Sequence, residues 1–344
     1  GAKVIESAQA TTDYKKLHSR SVEITLTGNG RNTTRLAVAV TPLLTEPPVP
    51  AVKRILQDAQ KTGVGAIRAA HDKIWQSLWL RSFMDFGDPY LNNLWHLTIY
   101  YAHGSQGGPY PGRFNNGLWT WSRDVQNWNF YFHWNQQQLY WPLNAAGYPE
   151  LIDPYLNFRF NSLPQAKADA REFFKVDGAF ISDVSERRGY NSTGELINHT
   201  PIAEIALDFW RQYSYSGDKV YLREKALPFI LEAAKFFTCL FAKGDDGLYH
   251  ATQGSGLEGW IKLKDGLTEL AYGRALFSVA LQALQESGAK APQAAVWKEM
   301  LDQFAPLPVI SAGDSIITRQ DPVFRRGYYK GRASPGGVAA AVKR

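Results

Sequence analysis

The sequence of 344 residues has one cysteine, two methionines and no long apolar run. A single cysteine, Cys239, cannot form a disulfide within the chain, and it excludes a metal or iron–sulfur site built from several cysteines. No apolar run approaches the roughly 18 residues of a membrane helix, so we expect no membrane partner. A phosphate loop, a dinucleotide fingerprint, a nucleophile elbow and histidines at zinc-site spacing are also missing. The sequence therefore implies no cofactor and no metal.

The net charge of +6 is concentrated at one end of the sequence. Residues 319–344 hold seven basic residues and one acidic residue, so they account for the whole excess of positive charge. The rest of the chain is neutral and offers no broad basic surface for phosphates. We therefore expect no nucleic-acid partner.

The hydrophobic share of 44% is ordinary for a globular protein, and the apolar pattern predicts a mainly α chain that follows a short β-segment. Alternation predicts strands at 21–26 and 36–40. Prolines predict an extended linker at 45–50, because proline lacks a backbone donor and disfavours helix before it. About eight helical segments are predicted, at 64–80, 89–103, 123–146, 148–161, 199–215, 218–243 (two helices), 264–287 and 293–304.

Two long segments between the helices, 104–117 and 175–198, are rich in glycine, asparagine and serine and are predicted to be loops. The sequence after residue 310 loses the helical period. Three parts are therefore expected: a β-stub with a linker at 1–47, a helical region at 48–306, and an irregular basic tail at 307–344.

Aromatic and amide side chains are unusually dense between Trp119 and Trp141, where nine of 23 residues are aromatic. Aromatic faces pack on the C–H faces of sugar rings, and amides bond hydroxyls, which both donate and accept. The stretch therefore favours a carbohydrate site. The alternative is an aromatic helical core whose amides face water.

Glu258 lies in a glycine-rich stretch, Gln253–Trp260, that we predict to be a loop between two helices. A carboxyl group beside tryptophan can hold a proton near neutral pH and so act as a general acid. Its spacing alone fits a solvated loop glutamate better. Asp265 is expected to begin the next helix as a cap or first-turn acid. His133 and His199 could bind sugar hydroxyls, although a single histidine on a helix is more often structural.

Several segments, in order, resemble the catalytic region of glycoside hydrolase family 95, which includes α-L-fucosidases and α-L-galactosidases. The similarity covers roughly residues 65–310 and follows the order of the family's motifs. The matching segments are His71–Ser82, Phe114–Trp119, Asn135–Pro142 and Tyr213–Arg223.

The resemblance implies a helical (α/α)6 toroid, here partial because about eight of twelve helices are predicted. It implies that Glu258 is the general acid of an inverting mechanism and that Asn135 positions the attacking water. His133 stands where the family has another asparagine, and it would share that role. No counterpart of the family's catalytic aspartate is found. The residues expected to bind substrate are Asn116, Trp119, Trp128, Trp141 and His199.

The expected function is a glycoside hydrolase that acts on α-linked deoxy- or galacto-configured sugars of an oligosaccharide or polysaccharide. The alternative is a catalytically silent sugar-binding protein on the same scaffold. A terpene cyclase is disfavoured, because Asp245-Asp246 is the single adjacent acidic pair. Missing helices would expose apolar faces, so self-association through those faces is expected. The family analogy implies an extracellular or periplasmic location.

Overall fold

The fold is known from a computed structural model, which describes residues 2–7, 21–26, 38–39, 47–105, 110–112, 131–186, 188–191, 198–257 and 260–308. The described chain is mainly helical with a few short strands, which confirms the predicted fold class. It divides into two compact units, residues 1–76 and residues 77–344. The basic tail after residue 308 lies outside the described residues.

The first unit contains an antiparallel strand pair and a helix. Strand β1 (Ala2–Ser7) pairs along its whole length with β2 (Ser21–Leu26), which confirms the strand predicted at 21–26. Val38 and Ala39 are the described residues of the other predicted strand, and neither is in a strand. Helix α1 (Pro48–Thr62) begins inside the predicted linker, so that prediction was wrong from Pro48 onward. Proline fits a helix start because its missing N–H would have no helical partner there.

Helix α2 (Val64–Trp79) runs from the first unit into the second, which holds the remaining elements. Single 3-10 and π turns extend several of its helices. In order, the elements are α3 (Pro89–Ser105), β3 (Tyr131–Phe132), α4 (His133–Gln137), α5 (Asp153–Asn161), α6 (Leu163–Asp169), β4 (Val184–Ser185), α7 (Pro201–Ser216), α8 (Lys219–Tyr221), α9 (Leu227–Thr238), β5 (Phe241–Lys243), β6 (Tyr249–Ala251), β7 (Gly254–Leu257), β8 (Trp260–Leu263), α10 (Leu267–Ser287) and α11 (Ala294–Gln303).

The core of the second unit lies where α7, α9 and α10 pack together. Phe209 of α7 stacks on Phe229 of α9 with ring centroids 4.3 Å apart. Phe277 of α10 stacks on Phe304 at 5.9 Å, beyond the end of α11. Burying large aromatic side chains contributes about 1.5–3 kcal/mol each, so this three-helix contact is a main source of stability.

The segment between α7 and α8 has a purely local explanation. Gly217 ends α7 in the left-handed conformation, and its N–H bonds the carbonyl of Tyr213. The Asp218 side chain then accepts hydrogen bonds from the backbone N–H groups of Val220 and Tyr221 and so caps α8. Glycine is preferred in the left-handed position after a helix, and aspartate is preferred as an N-cap, so these two residues explain the turn.

In the second unit, the secondary structure predicted for two segments was wrong. The helix predicted at 123–146 is not one helix in its described part: β3 and the short α4 are followed by turns through Gly147. The stretch Gln253–Trp260, predicted as a loop, contains β7, which pairs with β8. At 123–146, closely spaced aromatic residues match the apolar spacing of a helix. At Gln253–Trp260, the glycines obscure the alternation that would indicate a strand.

His250 of β6 lies between two carboxylates. Its Nδ1 is 2.8 Å from Asp265 Oδ2, and its Nε2 is 3.1 Å from Asp246 Oδ2. The hydrogen bond with Asp265 raises the pKa of His250 above its ordinary value, and Asp246 adds to the rise. Asp265 also accepts from the N–H of Ala251. We predicted that Asp265 is a cap or a first-turn acid of α10. That prediction was wrong, because the helix begins at Leu267 and its cap position is Gly266.

Helix α3 exposes one apolar face. Trp95, Ile99 and Ala102 pack on the core, whereas Tyr90 and Leu94 are exposed, Tyr90 to 69% of its surface. Exposed apolar faces of this kind promote association. None of the described helices is both long enough and apolar enough to cross a membrane.

We predict that Leu94→Glu reduces self-association, because it places a charge on the exposed apolar face of α3. Sedimentation velocity over a range of protein concentrations should detect oligomers of the wild type and fewer of the variant. Ser278→Glu, at an exposed position of α10, is the control and should behave as the wild type. A wild type that stays monomeric throughout would contradict the prediction.

We predict that His250 stabilises the fold most at low pH. A histidine whose folded pKa is raised contributes stability that is fully present below its unfolded pKa, near 6.5, and is lost as pH rises through the folded pKa. Urea unfolding of wild type and His250→Gln should therefore differ most near pH 6, and the difference should shrink toward pH 9. A difference that is constant with pH would show that the charge of His250 does not contribute.

Candidate active site

Three of the eight predicted site residues have described side chains. Asn135 lies in α4, Trp141 in the turns after it, and His199 just before α7. His133 begins α4, but its side chain lies outside the description, as do Glu258, Asn116, Trp119 and Trp128 altogether. The assigned roles of all eight therefore remain predictions.

The first two of the three amides that follow Asn135 point into the protein, whereas Gln138 is exposed. Gln136 and Gln137 are fully buried, so these two do not face water as the alternative interpretation requires. Gln136 donates to the carbonyl of Gly112 at 2.7 Å and accepts from the Arg159 guanidinium at 2.8 Å. Their function is to hold this segment in place, which leaves the half-buried Asn135 at its accessible end.

Asp208, in the middle of α7, is the buried carboxylate around which the segment is organised. Its Oδ2 accepts from Gln137 Nε2 at 2.6 Å and from the Tyr155 hydroxyl at 2.8 Å. Its Oδ1 accepts from the Trp141 indole at 3.0 Å and from Arg211. Burial raises the pKa of Asp208, whereas the hydrogen bond from Gln137 and the charge of Arg211 lower it.

Trp141 is therefore fixed in orientation by two contacts. Its indole N–H is bonded to Asp208, and the Arg211 guanidinium lies 5.7 Å from its ring centroid. A half-buried tryptophan held in this way can present a defined part of its ring to a sugar. The predicted role of Trp141 in substrate binding is compatible with this position.

His199 lies in a more apolar setting. It is 7% exposed, and its ring meets the edge of Phe174 with centroids 5.6 Å apart. Burial lowers the pKa of His199, although the nearby Glu269 carboxylate acts in the opposite direction. A neutral imidazole is thus favoured, and its Nδ1 has no hydrogen-bond partner among the described residues.

The β7–β8 hairpin, whose strands flank Glu258, is attached to the start of α7. The Ser255 hydroxyl donates to Asn198 Oδ1 at 3.1 Å and accepts from the N–H of His199 at 3.2 Å. Ser255 N–H donates to the buried Glu269 carboxylate at 2.6 Å. The residues just before α7 therefore anchor this hairpin, and α7 itself anchors the Asn135–Trp141 segment at Asp208.

Sequence reasoning missed the residues that make these anchors. The sequence did contain a sign that Asp208 is buried, because this acid interrupts an apolar run that is otherwise typical of a buried helix. Glu269, the third residue of α10, resembles an ordinary first-turn acid, so nothing local marks it as buried. Arg159 and Ser255 had no signal, since their partners are distant in sequence.

We predict that Asp208→Asn destabilises the fold by about 1–3 kcal/mol. Each carboxylate oxygen accepts two hydrogen bonds, so the amide nitrogen of asparagine would face two donors whichever way it turned. Urea unfolding measures the decrease in the free energy of unfolding. Asp218→Asn is the control, because asparagine caps a helix as well as aspartate does. A loss for Asp208→Asn no larger than for the control would contradict the prediction.

Comparison with known proteins identifies relatives of this chain. The family model described as the glycosyl hydrolase family 95 catalytic domain matches residues 89–315. Two proteins named kojibiose hydrolase are similar to this chain. That of Flavobacterium johnsoniae is 24% identical, and the match covers 59% of this chain and 30% of the relative. That of Mucilaginibacter mallensis is 26% identical, and the match covers 61% of this chain and 31% of the relative. A nigerose phosphorylase of Lachnoclostridium phytofermentans is 22% identical over 55% of this chain and 27% of its own.

A solved structure from the human microbiome, assigned as a kojibiose phosphorylase, has a TM-score of 0.59 at 14% identity, over 75% of this chain and 36% of that one. At this identity the likeness establishes the fold alone, which is of the (α/α)6 type. The chain spans about a third of the length of the curated relatives it matches. The family match covers about two thirds of this chain and confirms the resemblance found in its sequence. The chain belongs to glycosyl hydrolase family 95, as a glycoside hydrolase catalytic domain.

Proposed function

We propose that the protein hydrolyses an α-linked sugar from an oligosaccharide, with Glu258 as general acid. Glu258 protonates the glycosidic oxygen as its bond to the anomeric carbon breaks. A water held by Asn135 and His133 attacks the opposite face of the ring and passes a proton to a general base, which is the role of the family's catalytic aspartate, so the anomeric centre is inverted. Asn116, Trp119, Trp128, Trp141 and His199 contact the sugar.

The observation that supports this proposal is the double attachment to α7. Ser255, three residues before Glu258, is bonded at Asn198 and His199, and Gln137, two residues after Asn135, is bonded at Asp208. Asn198 and His199 immediately precede α7, and the helix rises about 10 Å from Pro201 to Asp208. These two attachments support the proposal, because catalysis by an acid and a positioned water requires both to be held in fixed places.

The sugar is the less constrained part of the proposal. The family resemblance by itself favours fucosyl or galactosyl units, whereas the relatives are named for kojibiose and nigerose, which are α-glucosyl disaccharides. We propose that an α-glucosyl unit is the first to test. We further propose, by the family analogy, that the protein acts outside the cell or in the periplasm, where such oligosaccharides are met.

The second candidate function is sugar binding without turnover. The observation that favours it is His133, which occupies the position of an asparagine expected to orient the attacking water. An imidazole there can still bond a hydroxyl of a bound sugar.

We predict that Glu258→Gln lowers the rate of hydrolysis by about 10²–10⁴-fold, because glutamine cannot donate a proton to the leaving oxygen. The panel should include kojibiose, nigerose, and aryl α-L-fucoside and α-L-galactoside, each with and without inorganic phosphate. Proton NMR of the first product should find the inverted anomer.

Glu224→Gln, an exposed position between α8 and α9, is the control and should leave the rate unchanged. Equal rates for wild type and Glu258→Gln would contradict the role of Glu258. Binding of a sugar by calorimetry without turnover, unchanged by Glu258→Gln, would instead support the silent binding protein.

A further inference from the structure

Glu269 is a buried acid that the proposed reaction does not use. It is fully buried in the first turn of α10, and no basic side chain is bonded to it among the described residues. Burying a carboxylate without a cation is costly unless hydrogen bonds satisfy it. Here the donors are Ser255 N–H at 2.6 Å, the Thr268 hydroxyl at 2.9 Å and, more weakly, the Ser255 hydroxyl at 3.4 Å, and the N-terminus of α10 adds a favourable dipole.

Two glycines make room for this carboxylate. A Cβ atom at Gly254 would lie 2.7 Å from Glu269 Oε2, and one at Gly266 would lie closer still. Gly254 begins β7, and Gly266 immediately precedes α10. The carboxylate therefore occupies the junction between the start of the hairpin and the start of the helix, where any larger residue would displace it.

The hairpin needs such a contact because its own ladder is irregular. Pairing between β7 and β8 shifts in register on both sides of Ser255. Irregular pairing of this kind bends a strand and leaves its register less firmly defined. Ser255 itself pairs with Ile261, between the two register shifts, and the bond from its N–H to Glu269 fixes the strand at this residue. Glu258 follows three residues later in the sequence.

We propose that Glu269 is a positioning residue that holds β7 through Ser255 and so sets the place of Glu258. The proposal rests on the proposed function, in which Glu258 is the general acid. A general acid must lie within hydrogen-bond reach of the leaving oxygen, and a displacement of about 1 Å can reduce the rate about 10²-fold.

The test compares Glu269→Ala, Glu269→Gln and Glu286→Ala. Glu269→Ala leaves Ser255 N–H without its acceptor, so kcat should fall about 10- to 100-fold while KM changes little. Glu269→Gln should recover most of kcat, because its oxygen can accept from Ser255 while its amide donates to the Thr268 hydroxyl. Glu286→Ala, the same substitution near the other end of α10, should leave kcat unchanged.

Hydrogen exchange of the peptide covering 254–263 provides a readout that does not depend on turnover. It should be faster in Glu269→Ala than in the wild type, Glu269→Gln or Glu286→Ala. Gly254→Ala is a second variant for the case in which Glu269→Ala does not fold: its Cβ should displace the carboxylate and lower kcat in the same way.

A wild-type kcat in Glu269→Ala or Gly254→Ala would overturn the proposal, as would a Glu269→Gln variant no better than Glu269→Ala. If Glu258→Gln proves fully active, the proposed function has failed. Hydrogen exchange of the peptide 254–263 still tests whether Glu269 holds β7 through Ser255. Faster exchange in Glu269→Ala would then support the hold on β7, and unaltered exchange would overturn it.

Discussion

The structure around the proposed site depends on one buried carboxylate. Asp208 lies inside the protein, where a carboxylate is tolerated only if hydrogen bonds replace the water it has lost. Gln137, Trp141 and Tyr155 supply them from α4, the following turns and α5. None of these segments can shift without leaving a polar group unpaired, so a single acid on α7 fixes the position of three neighbours.

Helix α7 is suited to this task because its surroundings are rigid. Phe209, next to Asp208, stacks on Phe229 in the tightly packed contact of α7 with α9. Just before α7, His199 bonds the Ser255 hydroxyl of the hairpin, and Glu269 of α10 accepts from the Ser255 N–H. Of the described site residues, Asn135 lies in the short α4 and Trp141 in the turns after it, and the packed helix α7 holds both segments in place through Asp208.

The long periodic helices could be predicted from the sequence to within about three residues, as at α3, α7, α10 and α11. Their apolar stripes and glycine stops are local signals. Prediction failed at α4 and its turns, where buried glutamines and aromatics imitate a helical stripe, and at β7, which is too short and glycine-rich to show alternation. It also failed at Pro48, since proline stops a helix or begins one according to its position.

The sequence by itself determined the mainly helical class, the aromatic and amide segment and the family. The first two follow from local periodicity and composition, and the family follows from the order of motifs along the chain. Only the tertiary structure decided which polar side chains are buried and what they bind. Gln137 and Asp208 are 71 residues apart, and Tyr155 and Asp208 are 53 apart. Contacts at such separations form when helices pack, and no local period records them. The hydrogen-bond partners of Asp208 and Glu269 are therefore known only from the folded chain.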